Sequence, residues 1–338
     1  MGYGGWSSEN YTRTTGAKVA SGTTFGYDRT AKAAGRSAYK AHEDLDPKRL
    51  AGKGSPFEGK TVRESRDNAE HPNSVPIAAI MDATGSMANL PRVIQEKLAG
   101  LFGLLLRKGY VDDPQIMIGA YGDSYVDRVP LQISQFESDN RIDDNLDNLF
   151  LEGGGGGNMG ETQSLAWYYL AYHTATDAWD KRNKKGYAFF IADEVALDLK
   201  PEHVKDAIND GEPLGSLKTA DLAKALQEKW EVFILLVDNS TARQQRSEAF
   251  YTKLFGKHNV LVLEDANSVA ETIALAIGVS EGTVDLDDAE DDLIEAGSNA
   301  VAIASATAAV AGLSNLKGGG TVVKGSADLG TGAGATRL

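Results

Sequence analysis

Three groups of oxygen-bearing side chains stand out in a chain with no cysteine and only five histidines. The first is Asp82-x-Thr84-x-Ser86, directly after the apolar run Ile77–Met81. Alternate positions in a tight turn aim one carboxylate and two hydroxyls at a single spot, and such hard oxygen donors suit Mg2+ or Mn2+. A Thr or Ser helix cap beside a buried Asp would use the same residues. The second group is Glu161, which opens a helical pattern after five glycines, Gly153–Gly157, and Asn158-Met159-Gly160. Glycines there let the backbone fold closely over a neighbour. The third is Phe189-Phe190-Ile191-Ala192-Asp193-Glu194, an apolar run ending in two carboxylates. A strand that apolar, followed at once by acid, seldom serves packing alone.

The elements that must carry these groups are visible as a pattern. Short continuous apolar runs at Ile77–Met81, Ile116–Tyr121, Tyr187–Ala192, Val232–Val237 and Val260–Leu263 read as strands buried on both faces. Between them lie helical periods. In Arg92–Arg107 the residues Ile94, Leu98, Leu101, Phe102 and Leu105 share one face, with Pro91 suited to the first turn. Further helices are expected at Thr162–Thr176, Thr219–Glu228, Thr241–Leu254 and Ser268–Ile277, and Arg128–Ile133 reads as a short, antiparallel edge strand. Repeated βα units imply an α/β fold: six strands, mostly parallel, with helices on both faces of the sheet. Ligands of such sheets sit at the carboxyl ends of the strands, where all three acidic groups fall.

This domain is expected over residues 76–280, between two extensions of different composition. Residues 1–75 carry 12 Lys/Arg against 9 Asp/Glu and show no sustained period; they read as a flexible leader or as an extended arm that packs on a partner or on the core domain, with its singly spaced aromatics as anchors. Residues 281–338 begin with eight acidic and no basic residues in Glu281–Glu295, continue through an Ala-rich stretch of helical character to Leu313, and end Gly-rich and without expected order. The 338 residues hold 34 Lys/Arg and 48 Asp/Glu, a net charge of −14, which argues against a nucleic-acid surface over the whole molecule. Hydrophobic residues at 42% suffice for a core. No cysteine means no disulfide framework and no thiol chemistry. The most apolar stretch, Ala300–Leu313, is too short and too rich in Ala to span a bilayer, and Met1–Trp6 lacks the pattern of a secretory signal. The expected location is therefore the cytoplasm or a particle assembled there.

The three motifs together resemble the von Willebrand factor A domain, a Rossmann-like fold, and its metal-ion-dependent adhesion site. The family's Asp-x-Ser-x-Ser is matched by Asp82-x-Thr84-x-Ser86, with Thr keeping the hydroxyl of the middle Ser. Glu161 matches the Glu that some members place after a Gly/Asn-rich stretch, and Asp193 matches the Asp that ends the fourth strand, with Glu194 in place of a common Gly. In the second loop Asn158 or Thr162 are alternatives to Glu161. Tyr121-Gly122-Asp123-Ser124-Tyr125-Val126-Asp127 is similar to the family's second-strand exit. The resemblance covers about Val75–Ser280 and is closest to bacterial and phage members. It implies a protein-binding module in which Asp82, Thr84, Ser86, Glu161 and Asp193 hold Mg2+ or Mn2+ and a partner protein supplies a carboxylate. It further implies a partner such as an AAA+ ATPase of the MoxR type, or neighbouring subunits of a large bacterial or phage assembly. A purely structural role in such an assembly, through the two extensions and with the metal site vestigial, is the alternative. Three carboxylates on a divalent ion sum to −1, which would repel an acidic partner unless one or two act through water.

Enzyme readings find less support. Thr84 stands where a dehalogenase-type loop needs a second Asp. The glycine run does not follow the first strand, and neither G-x-x-x-x-G-K-[ST], G-x-S-x-G nor H-E-x-x-H occurs. His42, His71, His173, His203 and His258 are scattered. The chain is expected not to be an enzyme; a metal-dependent hydrolase is the lesser alternative.

Overall fold

The computed structural model describes residues 4–87, 90–153, 160–237 and 241–317. Its strands are Arg63–Ser65 (β1), Val75–Asp82 (β2), Pro114–Tyr121 (β3), Leu131–Ile133 (β4), Thr174–Thr176 (β5), Gly186–Ala192 (β6), Trp230–Leu236 (β7) and Val260–Val262 (β8). Six of them form one sheet in the order β4-β3-β2-β6-β7-β8. All neighbours in it run parallel except β3 and β4, so the expected fold and its antiparallel edge are both present. The apolar runs are continuous because each strand feeds two cores. Ile77, Ala79 and Met81 of β2 face one cluster together with Phe189, Ile191, Phe233 and Leu235. Ala78 and Ile80 face the other, with Phe190, Ala192, Ile234 and Leu236. β4 approaches β3 closely. A Cβ at Gly119 would stand 2.9 Å from the Gln132 carbonyl oxygen, so only glycine admits that edge.

The helices are Ser8–Ala20 (α1), Gly26–Ala34 (α2), Leu90–Phe102 (α3), Arg141–Asp147 (α4), Ser164–Tyr172 (α5), Asp177–Arg182 (α6), Pro201–Ile208 (α7), Thr219–Lys229 (α8), Thr241–Phe255 (α9), Val269–Glu281 (α10), Leu286–Glu295 (α11) and Ala300–Lys317 (α12). Helices α1, α3, α4 and α10 to α12 bury side chains in the first cluster. Helices α5 and α7 to α9 bury theirs in the second. The period read over Arg92–Arg107 is α helix as far as Phe102 and a π turn over Gly103–Arg107. The segment expected as one helix over Thr162–Thr176 divides: α5 ends at Tyr172, and the β-branched Thr174 and Thr176 pair instead with β1. No described helix is long and apolar enough to cross a membrane.

Both extensions pack on the domain, the first through aromatic anchors and the second as helix, each in line with one of the readings of its sequence. Residues 4–75 hold helices α1 and α2 and the short strand β1 where the sequence shows no sustained period, and they lie on the domain. Ser7 caps α1 by accepting from the Asn10 backbone N–H. Trp6 stacks on Phe102 at 4.1 Å, and Tyr11, Phe25 and Leu45 are buried in the first cluster. The Leu45 carbonyl accepts from the Ile133 backbone N–H at 2.8 Å, on the outer side of β4. Arg66 and Arg182 pair with Asp177 and Asp67, each at 2.7 Å. After residue 281 the chain is again helical and attached: α12 buries Ala302, Ile303, Ala306, Val310 and Leu313 at helical spacing. The Gly-rich end lies outside the described residues.

Candidate metal centre

The sheet order creates the position of the site. From β2 the chain crosses to β3 on one side, and from β6 it crosses to β7 on the other. The carboxyl ends of β2 and β6 are thus adjacent at a point where successive connections diverge, the crevice in which open α/β sheets take ligands. Asp82 is the last residue of β2, and Asp193 directly follows β6.

Asp82 is fully buried. Its Oδ1 accepts from the Thr84 backbone N–H at 2.6 Å, and the Thr84 hydroxyl reaches it as well. Ser86 lies in the following 3-10 turn, Gly85–Met87; its side chain falls outside the described set. Asp193 is 3% exposed. Its Oδ2 accepts from Arg243 Nη1 at 3.1 Å, and its carbonyl accepts from the Ser247 hydroxyl at 3.2 Å. The Asp82 and Asp193 carboxyls come within hydrogen-bond reach of each other. As carboxylates both only accept, so Asp82 Oδ2 and Asp193 Oδ1 are buried with no donor. Burial, and then the Asp193 charge, push the Asp82 carboxyl well above its usual range against the two Thr84 hydrogen bonds.

Glu161 joins them from the loop before α5. Its backbone pairs with the stretch after β6: its N–H donates to the Val195 carbonyl at 3.1 Å, and its carbonyl accepts from Leu197 at 2.9 Å. Gly160 permits this, since a Cβ there would meet Leu197 Cδ2 at 2.7 Å. Glu161 Oε2 is buried without a partner. Burial first, and then the charges of Asp82, Asp123, Asp127 and Glu194, push its carboxyl up to about 9. Thr162 is taken up elsewhere. Its hydroxyl donates to the Gly122 carbonyl at 3.0 Å and accepts from the Ser124 N–H at 2.7 Å, locking the loop after β3. Asn158 lies outside the described residues.

Three buried carboxylate oxygens without donors, one each on Asp82, Glu161 and Asp193, fit a bound cation. No group of three or more His, Asp or Glu among the described residues is arranged to hold a metal by itself. An ion here would draw on hydroxyls of the first turn besides the acids, with some carboxylates acting through water.

Two further residues contribute: Asp123, which the sequence marks as part of a strand exit but not as a ligand, and Arg243, which it does not mark. Asp123 is fully buried after β3 and adds to the field on Glu161. Arg243, in the first turn of α9, contacts Asp193 and lies 3.6 Å from Glu194 Oε1. The Asp123 signal was present, an acid at a strand exit. Nothing local marks Arg243.

No family model matches the chain, and neither does any curated protein. Among solved structures it is similar to the pilus adhesin SpaC of Lactobacillus rhamnosus GG in its open conformation, at 11% identity over 64% of this chain and 31% of that one, with a TM-score of 0.43. It is also similar to proximal thread matrix protein 1 from the mussel byssus, at 10% identity over 60% of this chain and 47% of that one, with a TM-score of 0.42. A structure of that matrix protein with a zinc-occupied MIDAS motif gives 10% identity, 64% and 48% coverage, and a TM-score of 0.39. The chain spans from about a third to about a half of the length of these proteins. Similarity of this degree transfers neither ligand nor partner.

Proposed function

We propose that the chain is a protein-binding module of the von Willebrand factor A type, dependent on a divalent cation, Mg2+ or Mn2+, at the crevice between β2 and β6. The observation that carries this reading is the set of three donorless, buried carboxylate oxygens on Asp82, Glu161 and Asp193. Thr84 and Ser86 would contribute hydroxyls, and the three acids would ligate directly or through water. When bound, the ion supplies an open coordination position for a carboxylate of a partner protein. Arg243 removes an electrostatic objection, because its guanidinium beside Asp193 brings the sum of three carboxylates and a divalent ion from −1 to zero. The partner in this reading is a neighbouring subunit of an assembly or an AAA+ ATPase of the MoxR type, met in the cytoplasm or in a particle assembled there. No nucleophile and base are required of the site, so the reading is a binding device and not an enzyme.

The test is thermal melting of wild type and Asp82→Ala, each in EDTA and in excess Mg2+ or Mn2+. Wild type should gain stability with metal by mass action, ~2.7 kcal/mol at a hundredfold excess over the dissociation constant, and Asp82→Ala should not. In EDTA the variant should hold its stability or gain slightly, because it relieves repulsion among the clustered acids. Ser86→Ala should weaken the response less, since a hydroxyl brings no charge. An identical metal response in wild type and Asp82→Ala overturns the reading and leaves a structural α/β domain. Turnover of phosphomonoesters or phosphodiesters with Mn2+ would favour the hydrolase instead.

A further inference from the structure

Helix α9 presents one stripe to the end of β6. Arg243, Ser247 and Tyr251 recur every fourth residue, so they stand one above another on a single face. All three engage the Asp193–Glu194 turn. Arg243 Nη1 donates to Asp193 Oδ2 at 3.1 Å. The Ser247 hydroxyl donates to the Asp193 carbonyl at 3.2 Å. The Tyr251 hydroxyl lies 2.7 Å from the Glu194 carbonyl and 2.5 Å from Gln163 Oε1, which ties the same stripe to the loop that carries Glu161. Asp193 thus divides its carboxylate, giving Oδ2 to a guanidinium while Oδ1 is buried without a donor beside Asp82. A cation fixed to the protein and a cation from solution would share one carboxylate.

We propose that Arg243 is a tethered counter-cation that shares Asp193 with the divalent ion and holds the site's affinity for that ion down. The inference rests on the metal-dependent reading above. A guanidinium is charged at every accessible pH, so its offset is permanent. It acts in two directions. Without metal it offsets repulsion among Asp82, Glu161 and Asp193; with metal it repels the ion across a short distance in partly buried surroundings, where the interaction is weakly screened. Arg243 is a positioning and charge-tuning residue here, acting through Asp193.

The experiment is calorimetric titration of Mg2+ and Mn2+ into wild type, Arg243→Gln and Arg243→Lys, with melting of each protein in EDTA. Arg243→Gln should bind the divalent ion about tenfold more tightly or better. The same variant should melt at a lower temperature than wild type in EDTA. Arg243→Lys keeps the charge and should return both values toward wild type, which loss of a merely structural contact would not achieve. Wild type that binds metal while Arg243→Gln binds it equally or more weakly overturns the proposal. Wild type that binds no divalent ion sinks the metal reading instead; in that case a lower melting temperature of Arg243→Gln in EDTA still supports its apo role as a counter-cation, and an unchanged one removes it.

Discussion

At the scale of single residues, the acids of the crevice are held in a state that water would not give them. Glu161 ordinarily ionises near 4.5 and is pushed up to about 9, mainly by burial. The folded, metal-free protein therefore keeps a proton that the unfolded chain gives up, and linkage makes stability fall as pH rises through that interval. Below the unfolded value the penalty vanishes, and above the folded value it is complete. Melting in EDTA from pH 5 to pH 9 should show a decline that is shallower in Glu161→Gln, which has no proton to lose. Equal slopes would place Glu161 in ordinary solvent. The local part of this site was legible: Asp82, Thr84 and Ser86 are neighbours in sequence, and Asp193 and Glu161 each follow a conspicuous apolar or glycine run. Arg243 was not, because one arginine in a polar helix has no local signature and meets Asp193 only through the packing of α9 on the second core.

At the scale of elements, hydrophobic continuity was the reliable signal. β2, β3, β6 and β7 are buried along nearly their whole lengths, so their runs survive any choice of face. The three-residue β1 and β5 were missed, since their pairing is specified by each other and not by composition. Helices α1 and α2 were missed for a different reason. Each buries only two residues, Tyr11 and Thr15 in one and Asp28 and Ala31 in the other, too few to print a 3.6 period on the sequence. Among the elements α9 adds to the backbone pairing of the crevice loops a second coupling through side chains. Tyr251→Phe keeps the ring in its core position and removes the hydroxyl shared by Glu194 and Gln163. The hydroxyl has one proton to give, so one of these acceptors then loses its donor, which should cost ~1–3 kcal/mol in urea unfolding. A change below ~0.5 kcal/mol would mean that the hydroxyl does not hold the two loops together.

At the scale of the whole molecule, residues 4–75 pack on the domain that they precede. They meet the body through cations on acids, such as Lys18 on Asp143 and Asp147, and through buried apolar groups. Exposed or half-exposed ion pairs contribute only ~0–1 kcal/mol each, whereas a fully buried Leu or Phe contributes ~1.5–3 kcal/mol. The apolar anchors therefore decide, and high salt should not detach the segment. Leu45→Ala should destabilise the entire protein by ~2–5 kcal/mol in a single unfolding transition. A separate early transition, or no change, would show that the segment docks independently of the domain.

The hydrogen bond between Leu45 and Ile133 on the outer side of β4 carries a consequence for the order of events during synthesis. The amino-terminal segment leaves the ribosome long before the surfaces that receive it: Lys18 waits for Asp143, 125 residues later, and β1 waits for β5. Until then Trp6, Tyr11, Phe25 and Leu45 have no core to enter. Such distant pairings close late, after the loop entropy between them has been lost. The edge of β4 is meanwhile an open template for any other extended chain. The nascent chain therefore passes through an interval in which Trp6, Tyr11, Phe25 and Leu45 are made and the surfaces that bury them are not, so this segment can settle only through contacts of high sequence separation.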